Sequence, residues 1–238
     1  MKIILDSHQE HRLLQYYSSI TCAYFIVILI LIHFSDNLLN IGTYKFVPVL
    51  TTLVLAEFLK LSFTSLQSDH AGKPDSSHAS RSKKNSFKTL KNSLKFILVA
   101  VVVTSVYYVV IVLFGAPLLS EQEETFILAL TLTALTLTPA SLHLGVDHAL
   151  AIFSGSPLSI SGAFVDAVKL NIKSVLLGTW LGAFVLPLDW DRPWQTWPIP
   201  CIIGALLGYV AANFVTFIKI SSMRLKKKNR KGEPLKSC

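Results

Sequence analysis

Residues 96–114 read FILVAVVVTSVYYVVIVLF, a nineteen-residue run without a charge. A bilayer core of roughly 30 Å is crossed by about 20 apolar residues, each rising about 1.5 Å in a helix. A run of this kind fits almost no soluble architecture, and it is not alone. Comparable stretches occupy residues 13–34, 46–66, 95–114, 125–145, 168–188 and 198–219. The weakest is the fifth, where only 174–188 is free of charge, so Lys169 and Lys173 must reach back to the interface. Composition agrees: 52% of the residues are apolar, 15% are charged, and mean hydropathy is +0.53. Soluble domains carry about 25% charged residues. The sequence therefore predicts an all-α, polytopic membrane protein with six transmembrane helices. It excludes a disordered chain and argues against a disulfide scaffold, since Cys22, Cys201 and Cys238 are scattered and read as free thiols. The first run exceeds a signal-peptide core and lacks a small-residue cleavage site, so it reads as an uncleaved anchor.

Charge sets the expected orientation. Of 22 basic residues, thirteen fall in two places. Lys73, Arg81, Lys83, Lys84, Lys88 and Lys91 lie in 67–93, and Arg224, Lys226, Lys227, Lys228, Arg230, Lys231 and Lys236 lie in the tail. Basic segments beside apolar spans mark the cytosolic side. Six spans put both termini on one side, so both are expected in the cytosol. The opposite loops, 35–45, 115–124 and 189–197, carry Asp36, Glu121, Glu123, Glu124, Asp189 and Asp191 against Lys45 and Arg192. The expected organisation is two N-terminal spans over 1–66, then a disordered basic cytosolic linker over 67–93. A four-helix region over 94–219 follows, with a luminal hairpin at 189–197, and a basic tail covers 220–238. Membrane lipids are expected partners of the basic segments. Nucleic acid is not, because no soluble domain exists to present such a surface.

Four constellations stand out. Gly178 and Gly182 in the fifth span, and Gly204 and Gly208 in the sixth, are each four apart and so share a helix face. Such faces let backbones approach closely and predict a tight antiparallel hairpin, although glycine is common in membrane helices anyway. The joining loop holds Asp189, Trp190, Arg192, Pro193, Trp194, Gln195 and Trp197. Its tryptophans suit the headgroup level, while a proline-stiffened loop bearing Trp and Arg also suits docking. Glu57 and Lys60 sit three apart in the second span, hence on one face. They form either a proton or ion site or an internal pair facing the bundle. The internal pair is favoured, so Glu57→Gln is expected to leave function nearly unchanged. His143, Asp147 and His148 could place metal ligands on one helical face, or serve as an interfacial cap. Pro139 predicts a kink in the same span. No P-loop, nucleophile elbow, zincin or dinucleotide fingerprint occurs. No catalytic residue, metal site or cofactor is expected.

The segments LFGAPLL at 113–119, ETF at 124–126 and LGTWLGAFVLPLDWDRPWQTWPIPCIIGALLGYVA at 177–211 resemble the Pig-F family of the glycosylphosphatidylinositol (GPI) anchor pathway. The resemblance implies a multi-pass protein of the endoplasmic reticulum membrane. It implies a non-catalytic accessory subunit of Pig-O or Pig-G, large membrane transferases that add ethanolamine phosphate to GPI mannoses. The matching residues are Gly115, Ala116, Pro117, Gly182, Leu188, Asp189, Trp190, Arg192, Pro193, Trp194, Gln195, Trp197, Pro198, Gly204 and Gly208. They are then structural or partner-facing. Two other readings rest on the residues alone. One is a membrane-embedded enzyme acting on lipid headgroups. The other is a small transporter using Glu57, which usually needs a repeat symmetry that the sequence lacks.

Overall fold

A computed structural model describes residues 7–34, 41–69, 82–117, 120–157, 161–188 and 190–232. The chain order is α1 (Ser7–Phe34), a 3₁₀ turn (Tyr44–Phe46), α2 (Val47–Asp69), α3 (Ser82–Leu113), α4 (Gln122–Leu144), α5 (Val146–Phe153), α6 (Ala163–Ala183), a second 3₁₀ turn (Pro193–Gln195) and α7 (Ile199–Gly232). No strand occurs among the described residues. Three helical stretches there are long and apolar enough to cross a membrane: Lys91–Leu113, Gln122–Leu144 and Ile199–Leu225.

α4 is the hub. It packs against α2, α3, α5, α6 and α7. Of its most apolar window 83% is buried, against 22% for α3, which turns Ile97, Val101, Val102 and Val109 outward. Hydropathy alone would rank them the other way, because α4 is rich in threonine. Three of its threonine hydroxyls hide themselves in the middle of the helix. Thr131, Thr133 and Thr136 donate to the carbonyls of Ile127, Ala129 and Leu132. Thr133 also meets Thr104 of α3 at 2.9 Å, and Thr136 meets Tyr107 at 3.1 Å. Buried polar groups paired in this way cost little and hold helices together in an apolar medium.

Several boundaries differ from the sequence reading. α3 begins at Ser82, so residues 82–93 are helical rather than linker, and α2 continues to Asp69. Residues 70–81 of the expected linker lie outside the described residues. Residues 82–93 are helical because Lys- and Ser-rich turns still form helix once an adjoining apolar run has nucleated it. α6 is displaced toward the N-terminus of the expected fifth span and ends at Ala183. α7 continues past residue 219 to Gly232, so most of the expected tail is helix.

The ends have local causes. α3 stops in a Schellman motif: Ala116 N–H bonds the Ile111 carbonyl at 3.3 Å, and Gly115 N–H bonds the Val112 carbonyl at 3.0 Å. Gly115 has φ +104°, which glycine adopts without strain, and Pro117 follows where helix cannot continue. Gly145, at φ +86°, separates α4 from α5 in the same residue-specific way. α4 runs through Pro139 as one assigned helix. The proline ring supplies no N–H for the Leu135 carbonyl. Asn171 of α6 fills that place, its Nδ2 donating to Leu135 O at 2.9 Å.

Candidate functional site

Three features could carry function: a buried ionic junction, a glycine-lined hairpin and the loop that closes it.

The junction lies where α1, α2 and α7 meet. Glu57 and Lys60 on α2 are 3% and 2% exposed, and Lys60 Nζ lies 2.5 Å from Glu57 Oε1. Around the carboxylate stand three phenols. Tyr24 donates to Oε1 at 3.0 Å and Tyr17 to Oε2 at 3.2 Å, while Tyr209 of α7 also donates to Oε1. The ammonium donates to Thr21 Oγ1 at 2.8 Å and to the Tyr209 hydroxyl at 3.4 Å, and sits 4.0 Å from the Tyr17 ring centroid. Glu57 takes three donors on Oε1 and one on Oε2, and the Lys60 ammonium has an acceptor for each of its three protons, the kind of pairing that lets such a pair persist away from water. The pair is enclosed by side chains of α1, α2 and α7. The sequence reading found Glu57 and Lys60 but missed Tyr17, Thr21, Tyr24 and Tyr209. A signal existed: Tyr17, Thr21 and Tyr24 fall at i, i+4 and i+7, one polar stripe on an apolar helix.

The four glycines meet across α6 and α7. A Cβ on Gly178 would overlap the Gly204 carbonyl oxygen, and one on Gly204 would overlap that of Gly178. One turn away on either side, Gly182 faces the Pro200 carbonyl and Gly208 faces that of Ser174. The two backbones are thus in direct contact at three levels, antiparallel, with no room for any side chain.

The closing loop divides in two. Trp194, Gln195 and Trp197 point inward and are half-buried. Gln195 Nε2 donates to the Val185 carbonyl at 2.8 Å and also to that of Leu188, stapling the turn after α6. Trp197 Nε1 donates to Thr125 Oγ1 at 3.2 Å and ties the loop to the start of α4. Trp190, Asp191, Arg192 and Pro193 are exposed. The Trp190 ring meets Trp194 edge-on at 6.1 Å, and an open cleft of about 410 Å³ runs along Asp191, Arg192 and Thr196. Asp189 lies outside the described residues. Gly115 and Pro117 are not part of this loop; they end α3.

The His143, Asp147 and His148 set does not assemble. His143 belongs to α4 and stacks on Phe164 at 5.8 Å, with Tyr17 edge-on at 4.6 Å. Asp147 lies past the Gly145 break on α5, exposed and bonded to Lys95 of α3. That ammonium holds the Asp147 carboxyl below the usual carboxylate range, first by its hydrogen bond and then by its charge. Among the described residues no group of three His, Cys, Asp or Glu side chains could hold a metal ion.

Fold and site together define an all-helical membrane-type protein, with no group of His, Cys, Asp or Glu side chains placed to hold a metal ion among the described residues. The model of the GPI biosynthesis protein family Pig-F matches residues 10–217, and the chain belongs to that family. It is similar to proteins named "GPI ethanolamine phosphate transferase, stabilizing subunit". The mouse protein (Mus musculus) is 41% identical over 106 residues, which cover 44% of this chain and 48% of that one. The human protein (Homo sapiens) is 40% identical over 107 residues, with the same coverage. "Glycosylphosphatidylinositol anchor biosynthesis protein 11" of Pyricularia oryzae is 36% identical over 126 residues, 51% of this chain and 45% of its own length. The matched region spans about half the length of each of these relatives. No solved structure matches the chain.

Proposed function

We propose that this chain is a non-catalytic stabilising subunit of an ethanolamine-phosphate transferase in GPI-anchor biosynthesis, resident in the endoplasmic reticulum membrane. The observation that carries the reading is the match to the Pig-F family over residues 10–217, with mouse and human relatives named as stabilising subunits of that transferase. The partner is a large catalytic membrane subunit of the Pig-O or Pig-G type. In this reading α1, α2, α3, α4, α6 and α7 are the six spans, with both termini and the α2–α3 connection in the cytosol. The charge asymmetry of the loops supports that orientation. The 190–197 loop is then luminal. Arg192 meets a carboxylate or lipid phosphate there, and Trp190 fills a pocket or rests at the headgroup level. Gln195, Trp197 and the glycine hairpin hold the loop in shape.

The physical argument against catalysis by the chain alone is one of inventory. Phosphoryl-type transfer needs a positioned nucleophile and usually a clamp of metal ions. Among the described residues the short loops on the acidic side offer Glu121, Glu123, Glu124 and Asp191 with Lys45 and Arg192, and no group of three His, Cys, Asp or Glu side chains that could hold such a clamp.

Affinity purification in mild detergent tests the reading. A much larger membrane transferase should co-purify, and the isolated chain should transfer no ethanolamine phosphate. Transfer by the purified chain, lost on Asp191→Asn, would replace this reading with that of a membrane enzyme.

A further inference from the structure

Three buried polar atoms that lack a protein partner belong to residues lining one small cavity. They are Ser18 Oγ of α1, His143 Nε2 of α4 and Asn171 Oδ1 of α6. All three residues line a cavity of about 20 Å³, which Asn213 and Thr216 of α7 line as well. Ser18 is 0% exposed and Asn171 is 6% exposed.

Each atom is there for a reason the sequence makes legible afterwards. The orientation of the Asn171 amide is fixed, because its other end donates to the Leu135 carbonyl, and a carbonyl can only accept. Oδ1 is therefore the unpaired end of this cavity-lining amide, and it needs a donor. Thr21, one turn on from Ser18, turns its hydroxyl back to the carbonyl four residues earlier; Ser18 does not. Its hydroxyl is left for another partner. The His143 ring is held between Phe164 and Tyr17, which fixes its plane. None of the three atoms reaches another, and a buried polar atom without a partner is costly.

Size decides what joins them. A water molecule needs at least about 10–15 Å³ of such space and two to four polar partners. This cavity meets both conditions and is too small for an organic ligand. We propose that it is a binding site for one water molecule, which bridges α1, α4 and α6. The water accepts from Ser18 Oγ–H and gives its two hydrogens to Asn171 Oδ1 and to His143 Nε2, with the imidazole proton on Nδ1. Consecutive residues of α1 are then held by different polar centres: Tyr17 by the Glu57 carboxylate, Ser18 by the water. The water also completes the repair of α4 at Pro139, because the Asn171 side chain that caps Leu135 is itself pinned by it.

The test is a high-resolution map of the full chain, in nanodiscs, with any subunit that co-purifies. A density peak within about 2.7–3.2 Å of Ser18 Oγ, Asn171 Oδ1 and His143 Nε2 is expected. Absence of the peak, with Ser18 bonded back to the Leu14 carbonyl or directly to Asn171, overturns the proposal. Radiolytic labelling in ¹⁸O-enriched water gives an independent readout. His143 should take up label well above Phe25, which is 1% exposed and lines no polar cavity. Ser18→Val should abolish that excess. If Ser18→Val fails to fold, the wild-type comparison stands alone: equal labelling of His143 and Phe25 contradicts the bound water.

Discussion

The α6–α7 hairpin and the α1 junction solve one problem in opposite ways. Lipid tails are as apolar as leucine, so apolar faces alone give membrane helices little reason to associate. α6 and α7 answer by removing side chains: Gly178, Gly182, Gly204 and Gly208 bring backbone onto backbone. α1 answers by adding polar groups: Tyr17, Thr21 and Tyr24 reach across to one ion pair on α2, joined there by Tyr209 of α7. The first device depends on shape and tolerates no added atom. The second depends on completeness and tolerates no missing partner. Tyr209 is one residue beyond Gly208, so the two devices adjoin on α7.

The comparison breaks first at Lys60. Lys60→Met leaves a buried carboxylate with only phenols around it, and should cost about 3–5 kcal/mol. Glu57→Gln leaves the ammonium unpaired and should cost a comparable amount of stability. Thermal melting in detergent measures both, and the Glu57→Met/Lys60→Met double variant should be more stable than either single charge removal. Next in size is Gly204→Leu. Overpacking costs about 1–3 kcal/mol, and contact with a rigid backbone places this site at the upper end. Loss of a disulfide-trapped pair between cysteines on the facing turns of α6 and α7 would report the opened hairpin. Asn171→Leu follows, at about 1–3 kcal/mol, because the Leu135 carbonyl loses its donor. Melting of this variant beside a Pro139→Ala/Asn171→Leu double variant checks the cause, since alanine restores an N–H to the helix and should recover part of the loss.

The smallest effect belongs to the exposed Lys95–Asp147 contact. The folded-state pKa of Asp147 is depressed, so its contribution is complete above the ordinary aspartate value. It is lost as pH falls through the lowered value. Melting of wild type and Asp147→Asn should therefore converge as pH is taken from about 6 to about 3. A gap that widens on acidification would contradict the sign.

The apolar runs made the helices legible, because burying a stretch of about 20 apolar residues leaves few choices. They hid which helix is central, since Thr131, Thr133 and Thr136 look polar until their hydroxyls are seen bonded to their own helix. Where α3 starts was also hidden: residues 82–93 are polar and resemble a linker by composition. The glycine spacing was readable as a face but carried no identity for the opposing surface. The junction was half readable. Glu57 and Lys60 are three apart, whereas Tyr209 comes from about 150 residues away and no local pattern links it to them. Nor did spacing separate Trp194 and Trp197, which support the loop, from Trp190 and Arg192, which face outward.

The central claim is that the chain acts by holding a catalytic partner and performs no chemistry itself. The most direct measurement is the abundance of the catalytic transferase subunit in cells depleted of this chain, then supplied with wild type or with Trp190→Ala/Arg192→Ala. Wild type should restore partner abundance and ethanolamine-phosphate transfer together. The loop variant should itself accumulate normally, because both residues are exposed and lie outside the ionic junction and the glycine contact. It should nevertheless leave partner abundance and transfer reduced in parallel. Full partner abundance in depleted cells, with transfer lost, would contradict a stabilising role and return the reaction to this chain.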